Sequence, residues 1–156
     1  MAGRIEARLA ELGITLPLPS VPIANYVPWV KTGNLVVVSG QIPLVNGEVV
    51  VKGKVTWGVT IERASEAARI CFINVLVHLK AACDGDLDRV RRVVRLGGFI
   101  SAPSEFTDHA RVMNGASDLA VAVFGDDGRH ARSTIGVPSL PADATVEVEG
   151  FFEIGW

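Results

Sequence analysis

The last segment of the chain, Val146-Glu147-Val148-Glu149-Gly150-Phe151-Phe152-Glu153-Ile154, alternates with a period of two. That period defines a β-strand, because successive side chains of a strand point to opposite faces. Val146, Val148, Phe152 and Ile154 share one face; Glu147, Glu149, Phe151 and Glu153 share the other. The first set needs a hydrophobic layer against it. The second is neither clean core nor clean surface. It has two readings: a solvated antiparallel face, or a face that meets other subunits around a small polar site.

The covering layer is legible upstream. From about Thr60 to Cys83 the period changes, with Ala64, Ala67, Ala68, Cys71, Val75, Leu79 and Ala82 at helical spacing. A second helix is expected over about 106–124, with Val112, Leu119, Val123 and Phe124 on its apolar side. Strands are expected at 27–30, 35–39, 90–101, 130–137 and 145–154, the 90–101 strand broken or bent at Gly97-Gly98. Asn46-Gly47 predicts a tight hairpin into Val49-Val50-Val51. Helices alternating with strands predict one helical layer on one face of a mixed sheet, an α+β arrangement.

Ahead of this lies a short amphipathic helix over 2–13, carrying Ile5, Leu9 and Leu12 and stopped by Gly13. Pro17, Pro19 and Pro22 then make an extended tether, since proline cannot sit in a helix interior. The division expected is therefore residues 1–21 as helix and tether, and 22–156 as a single domain. At 156 residues the chain is long enough for one real core. With 49% hydrophobic residues and a mean hydropathy of +0.34, some apolar surface is expected to be covered by a partner subunit.

Charge excludes some functions. The net charge is −2, and no basic run is interleaved with aromatics, so no nucleic-acid partner is expected. Arg89, Arg91, Arg92 and Arg95 cluster, but Asp84, Asp86 and Asp88 lie just upstream, which reads as local pairing at a helix-to-strand turn. Cys71 and Cys83 lack a histidine at ligand spacing, so no metal site or disulfide framework is expected. No apolar stretch approaches the ~20 residues of a membrane span. A cytoplasmic setting, with no membrane partner, is the expectation.

The candidate chemistry centres on Arg132, a planar, always-charged fork suited to a carboxylate. The alternative is an arginine permanently paired with Glu147 or Glu149. Glu147 points to the mixed face and could act as an acid or base only if partial burial raised its pKa; the alternative is a solvated strand carboxylate. Glu149 points to the same face. Tyr26, the single tyrosine, could close a pocket or be an ordinary interface aromatic. Ser39 could line a pocket, but no His/Asp pattern makes it a nucleophile. Gly40 would let the chain turn. Asn114 would bind a ligand or cap a loop. His78 is expected on the outer helix, His109 near a loop, and His130 at the rim of a site at Arg132.

Several of these residues, in this order, resemble the Rid family, the reactive-intermediate imine deaminases, also called the YjgF family. The matching pieces are Ala24-Asn25-Tyr26-Val27, Val38-Ser39-Gly40-Gln41-Ile42-Pro43, Asn114, Ala131-Arg132-Ser133, and Leu140-Pro141 through Glu149. The resemblance spans roughly residues 22–154. It implies a Bacillus chorismate-mutase-like subunit with two main helices on one face of a mixed sheet. It also implies a homotrimer with sheets inward and ligand sites in the clefts between subunits. The implied reaction is hydrolysis of small 2-imino or enamino carboxylates to 2-keto acids and ammonia, without cofactor or metal. The residues it carries over are Arg132 and Glu147 for catalysis, and Arg132, Tyr26, Ser39, Gly40, Asn114 and Thr134 for substrate binding. Thr134 stands where the family frequently has Cys, and the loop 124–130 marks a divergent branch. The alternative functions are a protein that binds a small carboxylate metabolite without turnover and, against the acidic net charge, a ribonuclease.

Overall fold

The structure is a computed structural model that describes residues 3–19 and 24–156; the C-terminal end of the proline tether, Ser20 to Pro22, lies outside the described residues. A five-stranded sheet has the order β1-β2-β7-β5-β6. Its strands are β1 (Trp29–Thr32), β2 (Leu35–Gln41), β5 (Val90–Ser101), β6 (Ala131–Val137) and β7 (Val146–Ile154). All neighbours are antiparallel except β5 and β6, which are parallel. The helix α3 (His109–Phe124) makes the crossover that a parallel pair requires.

The helices α2 (Ile61–Ala82) and α3 cover one face of the sheet. Thr60 caps α2 by accepting a hydrogen bond from the Arg63 amide at 3.0 Å. Ala64, Ala67, Ala68, Cys71, Val75 and Leu79 of α2 bury against Val146, Val148, Phe152 and Ile154 of β7 in one core. The α2–α3 crossing is close: a side chain at Gly115 would meet the backbone carbonyl of Ser65. The fold is thus the mixed α+β architecture expected, with both main helices on one face.

The small hairpin β3 (Leu44–Val45) and β4 (Glu48–Val49) turns at Asn46 (φ 52°) and Gly47 (φ 80°), the left-handed pair a two-residue turn needs. It is shorter than the expected run to Val51. Asn74 of α2, buried, donates from its side-chain amide to the carbonyls of Ile42 and Leu44 at 3.1 Å each and so fastens this segment to the helix. His78, one turn along on the same helix, is also buried. Desolvation there lowers its pKa.

Three expectations are corrected. β5 is continuous through Gly97-Gly98, and its register shifts lie nearer its start, between Val90 and Arg92 and between Val93 and Arg95. The two glycines instead make room: a side chain at 97 would meet Glu149, and one at 98 would meet Met113. β1 begins two residues later than expected and includes Lys31 and Thr32, so the turn is only Gly33-Asn34. The arginine cluster is only partly paired upstream. Arg89 meets Asp84 at 2.6 Å and lies 3.9 Å from the Trp156 ring centroid, while Arg95 meets Glu149 at 3.6 Å. Arg91 and Arg92 reach the backbone carbonyls of Trp156 and Arg129.

Asp88 has a separate task. Its carboxylate accepts from the amides of Arg4 (2.9 Å) and Ile5 (2.8 Å), capping helix α1 (Arg4–Glu11) from across the chain. The helix's own N-cap, Gly3, offers no side chain, so the acceptor comes from elsewhere. Ile5 and Leu9 of α1 join the common core. The bond from Ile5 is the main cause that holds the Asp88 carboxyl below its ordinary value. A depressed pKa places this stabilisation above the unfolded value of ~3.9 and removes it as pH falls through the folded one. Asp88→Ala is expected to cost about 1 kcal/mol, as loss of an N-cap does. Thermal melts at neutral pH would show it as a fall in Tm of about 2–4 °C. The gap between variant and parent closes in acid.

Candidate functional site

The residues singled out by sequence fall into two groups on opposite faces of the sheet. The first is built on β6 and α3. Arg132 pairs in register with Leu96, and Thr134 with Gly98, on the side that faces the helices. From there the Arg132 guanidinium reaches α3. Its Nη1 donates to Asn114 Oδ1 at 2.9 Å and to Ser117 Oγ at 3.0 Å. Asn114 and Ser117 are three residues apart on one helix, hence on one side of it.

Ser117 in turn meets His130 Nε2 at 2.8 Å, and His130 Nδ1 meets the Gly128 carbonyl at 2.6 Å. Burial first, and the Arg132 charge as well, push the His130 pKa down, against the opposing hydrogen bond to Gly128. Thr134 Oγ1 is buried and has no hydrogen-bond partner among the described residues.

Arg132 has no carboxylate partner among the described residues; the acids proposed as its neutralisers go elsewhere. Glu149 pairs with Arg95, and Glu147 projects from the opposite face. Both acceptors on Arg132 are neutral, and both engage Nη1. The two hydrogens on Nη1 are thereby used, which leaves the Nε–Nη2 edge of the fork without a partner among the described residues. That edge has the geometry for a bidentate carboxylate.

The second group lies on the open face, where β2 meets β7. Glu147 stands opposite Phe99 in β5. Its carboxylate lies against Gly40: a side chain at 40 would collide with Glu147 Oε1 and Cδ. Gly40 sits in the irregular stretch of β2 between Val38 and Gln41, where the register with β7 shifts. Such a bulge re-aims the chain next to a site. Ser39 Oγ donates to the Val27 carbonyl at 2.8 Å, which draws the segment bearing Tyr26 to the same strand end. Tyr26 itself is exposed. Desolvation, then Glu149, raise the Glu147 pKa above the ordinary carboxylate value. Glu147 therefore has the partly buried setting that an acid/base carboxylate requires.

Within one chain the two groups do not meet. Arg132 lies beside Leu96 and Gly150, two strands and three residues away from Glu147. At the usual strand spacing and rise this is about 10 Å across the sheet and about 10 Å along it, on opposite faces. The sequence spacing of Arg132 and Glu147 does not bring them together, because β5 intervenes between β6 and β7.

Sequence reasoning missed Ser117 altogether, although its place one turn after Asn114 was readable. The mixed face it identified is real: Val30, Val94 and Ile135 are exposed there, with Val37, Phe99 and Phe151 half-buried among Glu147, Glu149 and Arg95. No group of three or more His, Cys, Asp or Glu that could hold a metal occurs among the described residues. Among the described residues no helix is long and apolar enough to cross a membrane.

A chorismate-mutase-like sheet-and-helix subunit carrying an unneutralised arginine on its edge strand is the kind of protein this fold and site define. The chain belongs to the family described as "YjgF/chorismate_mutase-like, putative endoribonuclease", whose model matches residues 6–154. It is 43% identical over 154 residues to Protein TCP17 of Trypanosoma cruzi, covering 98% of this chain and 96% of that protein. It is 30% identical over 141 residues to a 2-iminobutanoate/2-iminopropanoate deaminase of Dermatophagoides farinae, covering 90% of this chain and 94% of the relative. Among solved structures it resembles Atu1372 of Agrobacterium tumefaciens, a protein with unknown function. That match has a TM-score of 0.91 at 46% identity, over 97% of this chain and 92% of the other.

Proposed function

We propose that this protein hydrolyses small 2-imino or enamino carboxylates to 2-keto acids and ammonia, with no cofactor or metal, in clefts between the subunits of a homotrimer. The observation that carries the reading is the Arg132 guanidinium, held by two neutral acceptors with its Nε–Nη2 edge open. Such a fork selects a planar carboxylate. The kinship to a 2-iminobutanoate/2-iminopropanoate deaminase supports an imino acid as that carboxylate's bearer.

The two-group geometry supports a site between copies. One chain supplies Arg132, Asn114 and Thr134 from the edge strand and α3. A neighbour supplies Glu147, Gly40, Ser39 and Tyr26 from its open sheet face. The apolar residues of that face favour burial against another subunit. In the assembled cleft Arg132 holds the carboxylate and Glu147 takes a proton from the attacking water. It gives that proton to the nitrogen to form the carbinolamine, then takes the carbinolamine hydroxyl proton and passes it to the nitrogen as the C–N bond breaks, so that the carbonyl forms, ammonia departs and the carboxylate is restored.

A second reading, binding without turnover, is favoured by one observation: a single chain presents the carboxylate fork without the base. One experiment separates the two. An amino-acid oxidase generates the imino acid in situ, and semicarbazide traps what survives. The expected result is a faster loss of trappable imine with the protein present, from a species that sediments as a trimer. A micromolar monomer that leaves the imine untouched overturns the deaminase reading.

A further inference from the structure

We infer that Ser117 and His130 are positioning residues for Arg132: His130, in its Nδ1–H tautomer, accepts a hydrogen bond from the Ser117 hydroxyl, and Ser117 in turn offers Arg132 a lone pair that fixes the fork.

The assignment follows from which atoms can donate. The Gly128 carbonyl only accepts, so at 2.6 Å His130 Nδ1 must carry hydrogen. In the neutral ring Nε2 is then bare and accepts. Among the described residues the donor that faces it is the Ser117 hydroxyl, at 2.8 Å. With its proton so committed, Ser117 Oγ can only accept toward Arg132, whose Nη1 lies at 3.0 Å. The neutral state is favoured by burial of the ring and by the neighbouring guanidinium. The three hydrogen bonds from Arg132 Nη1 through Ser117 and His130 to the Gly128 carbonyl thereby run in one consistent direction.

The fold holds the ring in place. The 3-10 turn Gly125–Gly128 ends α3, and Gly128 is pressed beneath that helix, where any side chain would collide with the Ala120 carbonyl. The Gly128 carbonyl is therefore a fixed point, and His130 folds back onto it two residues later. Ser117 and Asn114 come from a single helical turn spacing on α3, so the two acceptors at Nη1 are rigid with respect to each other. The consequence is that rotation of the guanidinium about its terminal bonds is blocked and the Nε–Nη2 edge keeps one direction. Preorganisation of this kind raises affinity by removing an ordering cost. It rests on the carboxylate role given to Arg132, but the positioning itself is a property of the unliganded chain.

The test uses the full chain labelled with 15N. Nitrogen spectra at neutral pH should show His130 with Nδ1 protonated and Nε2 bare. The Arg132 Nη1 resonance should be slowed by hindered rotation in the parent and averaged in Ser117→Ala. Titration with pyruvate should show binding weakened about tenfold in Ser117→Ala, the loss of roughly one hydrogen bond to a charged group. Ser117→Thr, which keeps the hydroxyl, should restore most of it. His130→Phe, which keeps a ring and loses the acceptor, should behave like Ser117→Ala. In turnover the loss should fall on KM, with kcat little changed. An Nε2–H tautomer, or Arg132 rotation equally hindered in Ser117→Ala, overturns the inference. If the parent does not bind pyruvate while the tautomer and rotation results hold, the carboxylate reading fails and the positioning stands.

Discussion

Glu147→Gln is expected to lower the rate of imino-acid hydrolysis by about 10²–10⁴-fold, the range for loss of a general base. Glutamine keeps the size and one acceptor oxygen but cannot take a proton. Binding of a 2-keto acid should survive, because Arg132 is untouched. The pH profile gives an independent readout. Burial and Glu149 raise the Glu147 pKa, so the carboxylate is protonated up to a higher pH than an exposed glutamate. The base form appears as pH rises through that value, and kcat of the parent should climb with it. The variant should lack this limb. Measurement of residual imine by semicarbazone formation across pH would decide both points. Undiminished activity in the variant would remove Glu147 from the mechanism.

Arg132→Lys should weaken carboxylate binding by about 10- to 100-fold, although the charge is retained. An ammonium cannot offer two parallel hydrogen bonds to one carboxylate, and a hydrogen bond to a charged group contributes about 1.5–3 kcal/mol. A lysine at 132 also could not engage Asn114 and Ser117 while presenting a second edge to the ligand. Isothermal titration with small 2-keto acids would measure the loss. Equal affinity in the two proteins would show that Arg132 only ties β6 to α3.

The two substitutions probe different halves of the proposed cleft, and the structure explains why both are needed. Arg132 is on the helix-facing side of an edge strand, and Glu147 is on the open side of the central strand β7. Mixing the two impaired variants offers a direct check on a shared site. Subunit exchange would form clefts with an intact Arg132 from one parent and an intact Glu147 from the other, and part of the activity should return.

Local chemistry in the sequence was enough for much of this protein. The period-two run in 146–154 separated the core residues Val146, Val148, Phe152 and Ile154 from the mixed row without reference to any neighbour, since side-chain direction in a strand follows from backbone geometry alone. The helical stripe over 61–82 and the Asn46-Gly47 turn were legible for the same reason: each depends on contacts within a few residues. Arg132 was also readable as the candidate cation, because its planar fork stands on a short apolar segment, Ala131-Arg132-Ser133, that resembles the family's.

What tertiary structure decided was every relation between residues distant in sequence. The insertion of β5 between β6 and β7 holds Arg132 and Glu147 apart, and the strand registers place them on opposite faces, although they are only 15 residues apart in the sequence. Sequence could not say that Glu149 goes to Arg95, or that Asp88 caps a helix 83 residues away, because both depend on which elements pack together. Nor could it say that Gly97 and Gly98 are there to admit Glu149 and Met113 and not to bend the strand. The hydrogen bonds at Ser117 and His130 exist because the chain folds back at Gly128 under α3. Local pattern fixes which way a side chain points; only packing fixes what it meets.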